Sequence, residues 1–495
     1  MRSDWLKFKS GTSVRGSVEA LTDEFANKVG YSFALWLAAQ LETTPDRLVI
    51  AVGRDSRTSG ERLAAAMIQG ITAADSDVLD CALCTTPAMF KAVADPSIHA
   101  DGAVMITASH LGNDRNGFKF MTRQGGLHAR DVEDILARAQ QVKLPNRLVT
   151  QVDMLSLYAG SLKEMVRKRL DDDALKPLLG MHVVVDAGNG AGGFYARMLE
   201  ELGADISGSL YLEPDGNFPG HAPDPGDPMA LAALSKAVLD SQADLGVIFD
   251  ADCDRAAIVD QCGQAIDKNR LIALTAAILL DEKPGLTFVT DSVTSPGLSS
   301  FINEWGGTHY RFKRGYRNVI DEAIRLNEEG IDCPLAMETS GHAAFRDNFF
   351  LDDGMYLVTY LICEALNRKR EGQTLSALLE GLREPVESVE IRLPLLDEEE
   401  GPEELTEMVL SHTLANPEWQ LAPDNREGVR ILFNLDGQVN SAWLQLRLSV
   451  HDPVMPLNAE SDIPGGVKRI LSELYALIQN VETVDLTPLK AYLEK

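Results

Sequence analysis

The chain has 495 residues, and at roughly 150 residues per domain it is expected to hold three or four domains. With 46 Lys+Arg against 74 Asp+Glu the formal charge is −28, which disfavours nucleic-acid backbones and anionic membrane surfaces as partners. At 45% hydrophobic and 24% charged residues, the composition is that of a chain that folds and lies outside the disordered regime.

The first ten residues, MRSDWLKFKS, place charges where a secretory signal needs an unbroken apolar stretch, so a cytoplasmic protein is expected. Three apolar runs then end in turn-rich loops followed by helical patterns: Leu48–Val52 into GRDSR, His182–Val185 into DAGNG, and Leu286–Val289 into TDSV. Runs of β-branched residues without alternation predict strands covered on both faces, as in α/β sheets. Their spacing, on the order of 100–130 residues, predicts three successive domains of one type. Cys81-Ala-Leu-Cys84 lacks a second Cys or Cys/His pair nearby and reads as ordinary buried cysteines. Leu271–Leu280 (LIALTAAILL) is about half the ~20 residues of a membrane span and predicts a buried helix. Past Pro385 the texture changes. Val386–Leu396 alternates, Asp397–Glu404 is an acidic stretch broken by proline, and Arg430–Phe433 and Trp443–Ser449 predict antiparallel strands of a smaller α+β domain.

The strongest local signal is an apolar strand from Ala243 running into Asp250-Ala-Asp252-Cys-Asp254-Arg255. In extended chain the three carboxylates would share one side, and crowded carboxylates repel unless a cation sits among them, so a hard divalent metal is the natural occupant. An EF-hand is excluded, because the sixth position is Arg255 rather than glycine and the twelfth is Gln261 rather than glutamate. Such a site commonly takes a further oxygen from phosphate. The donor candidate is Ser109, in Thr107-Ala-Ser-His110 at the exit of the apolar run Val104–Ile106. Its flanks, Thr107 and Leu111, exclude the G-x-S-x-G nucleophile of α/β-hydrolases, and a serine near a metal and a lysine can carry a phosphoryl group instead.

Taken in order, these motifs resemble the α-D-phosphohexomutase superfamily (phosphomannomutase/phosphoglucomutase). Gly11-Thr-Ser-Val-Arg15-Gly16 is similar to its I-R-G segment, Gly53–Gly60 to its G-R-D-x-R-x-S-G turn, and Thr107–His110 to its phosphoserine loop. Asp250–Arg255 resembles the metal loop, Glu338-Thr-Ser-Gly-His342 the sugar-binding loop, and Pro214–Pro219 a further shared segment. The resemblance implies three tandem α/β domains with mixed sheets plus a C-terminal α+β domain around a central cleft. Boundaries are expected near 150, 262 and 385: residues 1–150 carry the phosphoserine loop, 151–262 the metal loop, 263–385 the sugar loop, and 386–495 bind phosphate.

The implied activity is a mutase that moves phosphate between the 1- and 6-positions of glucose and/or mannose through phosphorylated Ser109 and a bisphosphorylated sugar. Mg²⁺ would be held by Asp250, Asp252, Asp254 and a phosphoryl oxygen on Ser109, with hexose 1,6-bisphosphate as activator. Ser109, His110, Lys119, Arg255 and His342 are the implied catalytic residues, Lys119 and His342 transferring protons. Arg15, Lys313, Glu338, Ser340, Arg447 and Ser449 are the implied substrate-binding residues. Several positions depart from the family pattern. Ala251 and Cys253 replace common glycines, Thr12 replaces an aromatic, and in Arg447–Pro453 His451 and Asp452 replace a threonine and a glutamate. Thr339 matches neither the methionine common among glucose/mannose enzymes nor the glutamine common among glucosamine enzymes. The alternatives are therefore a phosphoglucosamine mutase, or a catalytically weak sugar-phosphate-binding member of the fold. Hexose phosphate is the expected partner, with no nucleic acid and no membrane; the sequence does not indicate an oligomeric state.

Overall fold

The computed structural model describes residues 5–139, 149–397, 401–449 and 452–494. The chain divides into two compact units, Met1–Leu271 with Ser340–Leu378, and Ile272–Thr339 with Leu379–Lys495.

In the first unit each of the first two apolar runs becomes a strand as expected. Val49–Arg54 pairs in parallel with Asp77–Leu83 on one side and Gly102–Ile106 on the other. Gly102–Ile106 then pairs antiparallel with Arg115–Thr122, and that strand with Ser13–Ser17, so the sheet is mixed. Helices Asp23–Gln40 and Gly60–Ala73 cover it through a core that includes Phe25, Phe33, Leu37, Val52, Phe118 and Phe120. Cys81 and Cys84 are both buried and unbonded, as the reading of ordinary core cysteines requires.

The next sheet sets Leu245–Phe249 parallel to Val183–Asp186 and antiparallel to Ala256–Asp260. Asp250–Arg255 is therefore the turn joining two antiparallel strands. This corrects the expectation of an extended segment: the three aspartates converge because the chain reverses, with Cys253 N–H on Asp250 O (3.3 Å) and Cys253 in left-handed conformation at φ 64°. A β-carbon there costs about 1–2 kcal/mol, which explains why glycine suits this position and why cysteine still leaves each carboxylate in place. Helix Gly354–Arg370 belongs to the same unit. Its cap Asp353 accepts from Tyr356 N (2.8 Å) and from Tyr158 Oη (2.6 Å) on helix Met154–Leu170.

In the second unit Thr287–Thr290 pairs in parallel with Thr308–Arg311 and Leu335–Met337. Glu387–Pro394, Val454–Ser461, Gln438–Leu446, Val429–Leu435 and Gln420–Leu421 follow one another in an antiparallel sheet, confirming the change of texture past Pro385. Helices Gly401–Ala415 and Gly466–Ile478 bury Leu405, Val409, Val467 and Ile470 against it. Residues 401–404 of the acidic stretch open a helix; Pro402 is tolerated in the first turn, where its missing N–H leaves no bond unmade. Residues 398–400 lie outside the described residues. A polar seam joins the two sheets of this unit: Arg430 donates to Ser292 O (2.6 Å) and Thr294 O (2.9 Å) and stacks on Trp443, while Arg311 pairs with Asp424. Leu271–Leu280 lies, as expected, in a buried helix, Lys268–Glu282. Among the described residues no helix is long and apolar enough to cross a membrane.

Candidate active site

Ser109 leaves its strand at φ 56°, fully buried, with its Oγ donating to Asp250 Oδ2 at 2.8 Å. Two bonds centred on the Thr107 hydroxyl shape the approach: Thr107 Oγ1 donates to Asp55 Oδ2 (2.7 Å) and accepts from Ser109 N (2.8 Å). The rest of the loop is held by Arg57. Its guanidinium donates to the carbonyls of Ser109 (2.5 Å), Leu111 (2.7 Å), Gly112 (2.6 Å) and Arg115 (3.0 Å), and to Asp55 Oδ2 (3.0 Å). One planar fork thus gathers four carbonyls of the serine loop and of the strand end that follows it. His110 is half-buried beside Ser109.

The turn at 250–255 presents Asp250, Asp252 and Asp254, all buried, with one oxygen of each within 4.8 Å of the others. Lys119 Nζ donates to Asp252 Oδ2 (2.7 Å) and Asp254 Oδ2 (2.5 Å). Thr86 donates to Asp252 Oδ2 (2.5 Å) through its hydroxyl and to Asp252 O (2.9 Å) through its amide. Oδ1 of Asp252 and of Asp254 are buried without a hydrogen-bond partner among the described residues. Three buried carboxylates with two idle oxygens are the donor set of a hard divalent cation, so the residues fit a metal ion.

Electrostatics agree with that reading. Burial and the neighbouring Asp252 and Asp254 push the Asp250 carboxyl well above its usual range. Burial opposes the charged form of Lys119, but Asp252 and Asp254 outweigh it and raise the ammonium above its ordinary value. Burial likewise works against Asp254, whose carboxyl Lys119, His342 and Arg255 hold below the usual range. Arg15 is brought to the same place by the pairing of Ser13–Ser17 with Arg115–Thr122; Gly117 permits it, since a β-carbon there would lie 2.1 Å from Val14 O. Burial, with Arg255 and Arg57 close by, lowers Arg15 to about 10, and its Nη1 is buried without a hydrogen-bond partner among the described residues.

Arg255 Nε donates to His342 Nε2 (2.9 Å), and the two residues form an antiparallel bridge. Gly341 allows the bridge: its φ is 96°, and a β-carbon would stand 2.6 Å from Ala256 O. Ser340 is half-buried next to it. The first unit therefore unites Ser109, the three aspartates, Lys119, Arg15, Arg255 and His342.

The remaining expected residues lie in the second unit or at its edge. Glu338 is buried and accepts from Gly315 N (2.6 Å), whereas Lys313 is exposed. Arg447 is buried, its Nε without a hydrogen-bond partner among the described residues; burial and the charge of Arg314 lower its pKa. Ser449 Oγ accepts from Asp452 N (3.3 Å), and His451 lies outside the described residues. Sequence reasoning passed over Arg57, Thr86 and Arg314. Arg57 stands in the G-R-D-x-R-x-S-G turn, and Thr86 follows the capping Thr85 at the start of helix Thr86–Ala94, so each sat in a recognisable signal.

Comparison with known proteins bears on the whole chain. Family models described as phosphoglucomutase/phosphomannomutase alpha/beta/alpha domains I, II and III match residues 7–144, 158–263 and 267–386 in turn. A phosphomannomutase/phosphoglucomutase of Pseudomonas syringae is 31% identical over 94% of this chain and 94% of its own length. A phosphoglucomutase of Neisseria gonorrhoeae is 29% identical over 94% and 95%. The crystal structure of a phosphoglucomutase/phosphomannomutase family protein from Burkholderia thailandensis superposes with a TM-score of 0.77 at 27% identity, covering 97% of this chain and 98% of that one. With the serine, the acidic turn and the sugar-loop histidine assembled in one unit and all three domain models matched in order, the chain belongs to the phosphoglucomutase/phosphomannomutase family of the α-D-phosphohexomutase superfamily.

Proposed function

We propose that the chain is a phosphohexomutase that interconverts the 1- and 6-phosphates of glucose and/or mannose. The observation that carries this reading is the Ser109 Oγ–Asp250 Oδ2 contact of 2.8 Å at the edge of the buried acidic turn, with the unpartnered Arg15 Nη1 in the same cluster of charges. In this reading phosphorylated Ser109 gives its phosphoryl group to a free sugar hydroxyl: the Oγ–P bond breaks as the sugar O–P bond forms. The bisphosphorylated sugar turns around, and its other phosphate returns to Ser109. Asp250, Asp252 and Asp254 would hold Mg²⁺, which would supply neutralising charge to the phosphoryl oxygens.

Lys119, kept charged by Asp252 and Asp254, suits the acid that protonates Ser109 Oγ as the phosphoryl group leaves and takes the proton back in the return step. Arg15 and Arg255 place positive charge at the serine loop in a chain of net charge −28, where the overall field would otherwise repel a phosphorylated sugar. Glu338 and Ser340 serve sugar hydroxyls, and Arg447 and Ser449, with Lys313, hold the distal phosphate; Arg447 and Arg314 are two like charges that an anion would reconcile. A dephosphorylated serine cannot start a cycle, so hexose 1,6-bisphosphate is the expected activator, and a cytoplasmic location fits the supply of such substrates.

The test follows glucose 6-phosphate formed from glucose 1-phosphate with Mg²⁺ and catalytic glucose 1,6-bisphosphate, beside Ser109→Ala. Turnover lost in the variant supports the reading. Turnover only with glucosamine phosphate would replace it by a phosphoglucosamine mutase, and binding without turnover of any hexose phosphate by a binding protein.

A further inference from the structure

The motif Pro214–Pro219 joins the sheet that ends in the acidic turn to the turn that carries Arg57. Asp215 N donates to Asn189 O (2.9 Å), and the same carbonyl accepts from Ser56 Oγ (2.8 Å). Gly216 is buried against the second turn: a β-carbon there would stand 2.5 Å from Thr58 N, 2.6 Å from Arg57 Cα and 2.6 Å from Ser56 O. Just beyond the motif the chain is tied to strand Val183–Asp186, where His221 Nε2 lies 3.0 Å from Oδ2 of the buried Asp186.

Between these anchors Phe218 takes a φ of 49°, a left-handed conformation that a bulky residue enters only at a cost, and its amide closes the turn on Asp215 O (2.9 Å). What this strained turn delivers is a buried ring beneath the Arg57 guanidinium, whose carbon stands 5.2 Å from the ring centre. All five N–H donors of Arg57 are directed elsewhere: Nε to Asp55, Nη1 to the carbonyls of Gly112 and Arg115, and Nη2 to those of Ser109 and Leu111. Such bonds grip the edge of a planar group and resist motion within its plane. Motion across the plane is resisted by what packs against a face, and an aromatic ring attracts the cation there as well.

We propose that Phe218 is a positioning residue for phosphoryl transfer: its ring steadies the Arg57 fork, and the fork fixes Ser109 by its carbonyl. Each link is a direct contact, from Phe218 to Arg57 and from Arg57 Nη2 to Ser109 O (2.5 Å), while Thr107 Oγ1 holds Ser109 N (2.8 Å). The motif is anchored on the sheet whose strand Leu245–Phe249 leads into Asp250, so that sheet meets the serine from behind as well as through the Oγ contact. The inference rests on the mutase reading, and its test keeps the two apart.

The experiment compares Phe218→Leu, Phe218→Tyr, Arg57→Lys and the Phe218→Leu/Arg57→Lys pair in the full chain, by steady-state kinetics and by amide hydrogen exchange of peptides spanning residues 107–115. Leucine fills much of the space without a ring, and tyrosine keeps the ring. Phe218→Leu is expected to lower kcat about 10-fold with KM changed less than about twofold, and to speed exchange across 107–115 by about the same factor as kcat falls. Phe218→Tyr should stay within about threefold of wild type in both. Where Arg57→Lys has already removed the fork, Phe218→Leu should add less than about twofold. Equal kcat in the leucine and tyrosine variants, unchanged exchange across 107–115 in Phe218→Leu, or the full loss repeated in the Arg57→Lys background overturns the proposal. Should Phe218→Leu not fold, Phe218→Met takes its place in the same comparison and is judged by the same outcomes. Wild type that turns over no hexose phosphate sinks the mutase reading alone, since hydrogen exchange still tests the brace.

Discussion

Arg57→Ala removes the guanidinium that ties the serine loop to its sheet. Arg57 is 2% exposed and makes an ion pair with the equally buried Asp55. Breaking such a pair by deleting one partner costs about 3–5 kcal/mol. The four carbonyls of Ser109, Leu111, Gly112 and Arg115 lose charge-assisted donors worth about 1.5–3 kcal/mol each, although water can reach the exposed 111–115 turn and replace several of them. Counting the pair and the buried Ser109 carbonyl alone gives on the order of 6 kcal/mol, comparable to the whole stability of a domain at about 5–15 kcal/mol. Arg57→Ala is therefore expected not to fold stably. Arg57→Lys keeps a cation for Asp55 but replaces the planar fork by a point donor, and should lose about 3 kcal/mol. Urea unfolding followed by the fluorescence of Trp36, buried in this core, measures the loss; turnover should fall further than stability, because a displacement of about 1 Å at Ser109 costs about 100-fold. Asp55→Ala/Arg57→Ala should be less damaged than the two single losses predict, since no buried charge is then left alone. An Arg57→Lys variant with wild-type urea midpoint and turnover would refute the reasoning and leave the loop's shape to Thr107 and the strand ends.

Three other outcomes are expected. Lys119→Met should abolish turnover yet tighten divalent-metal binding by about tenfold, a gain of about 1.4 kcal/mol, because Lys119 competes for Oδ2 of Asp252 and Asp254; weaker binding by calorimetry would contradict this. Burial raises the Asp353 carboxyl from 3.8 to about 6, so the folded state holds its proton more tightly than the unfolded chain. Its ionisation then costs stability on the order of 3 kcal/mol as pH rises from 3.8 through 6, and the melting temperature of wild type relative to Asp353→Asn should fall across that window; a gap independent of pH would show the shift is absent. Arg447→Ala should raise KM for hexose phosphate by about tenfold or more while kcat changes little, the signature of lost uniform binding; an equal fall in kcat with KM unchanged would place Arg447 in the chemistry instead.

Local pattern was enough for much of this protein. Apolar β-branched runs marked Val49–Arg54, Val183–Asp186 and Thr287–Thr290 as buried strands, and three alternate aspartates after Phe249 marked the buried acidic cluster that could hold a cation, because both signals are written in consecutive residues. The same was true of Ser109 at its strand exit and of the antiparallel strands past Pro385. What consecutive residues could not reveal was partnership at long range. Lys119 meets Asp252 and Asp254 from 133 and 135 positions away, and Arg57 grips carbonyls more than fifty positions on, where any loop would show the same composition. Asp352 looks like a helix-start carboxylate until the bridges at 255, 342 and 344 bring it to His342. The shape of the acidic segment was likewise undecided, since alternation describes both an extended strand and a reversing turn; pairing of Leu245–Phe249 with Ala256–Asp260 made it a turn. Residue type, then, determined which chemistry this chain can perform. The sheet pairings alone decided which donors face which acceptors, because hydrogen bonds and ion pairs act over a few ångströms in space regardless of distance along the chain.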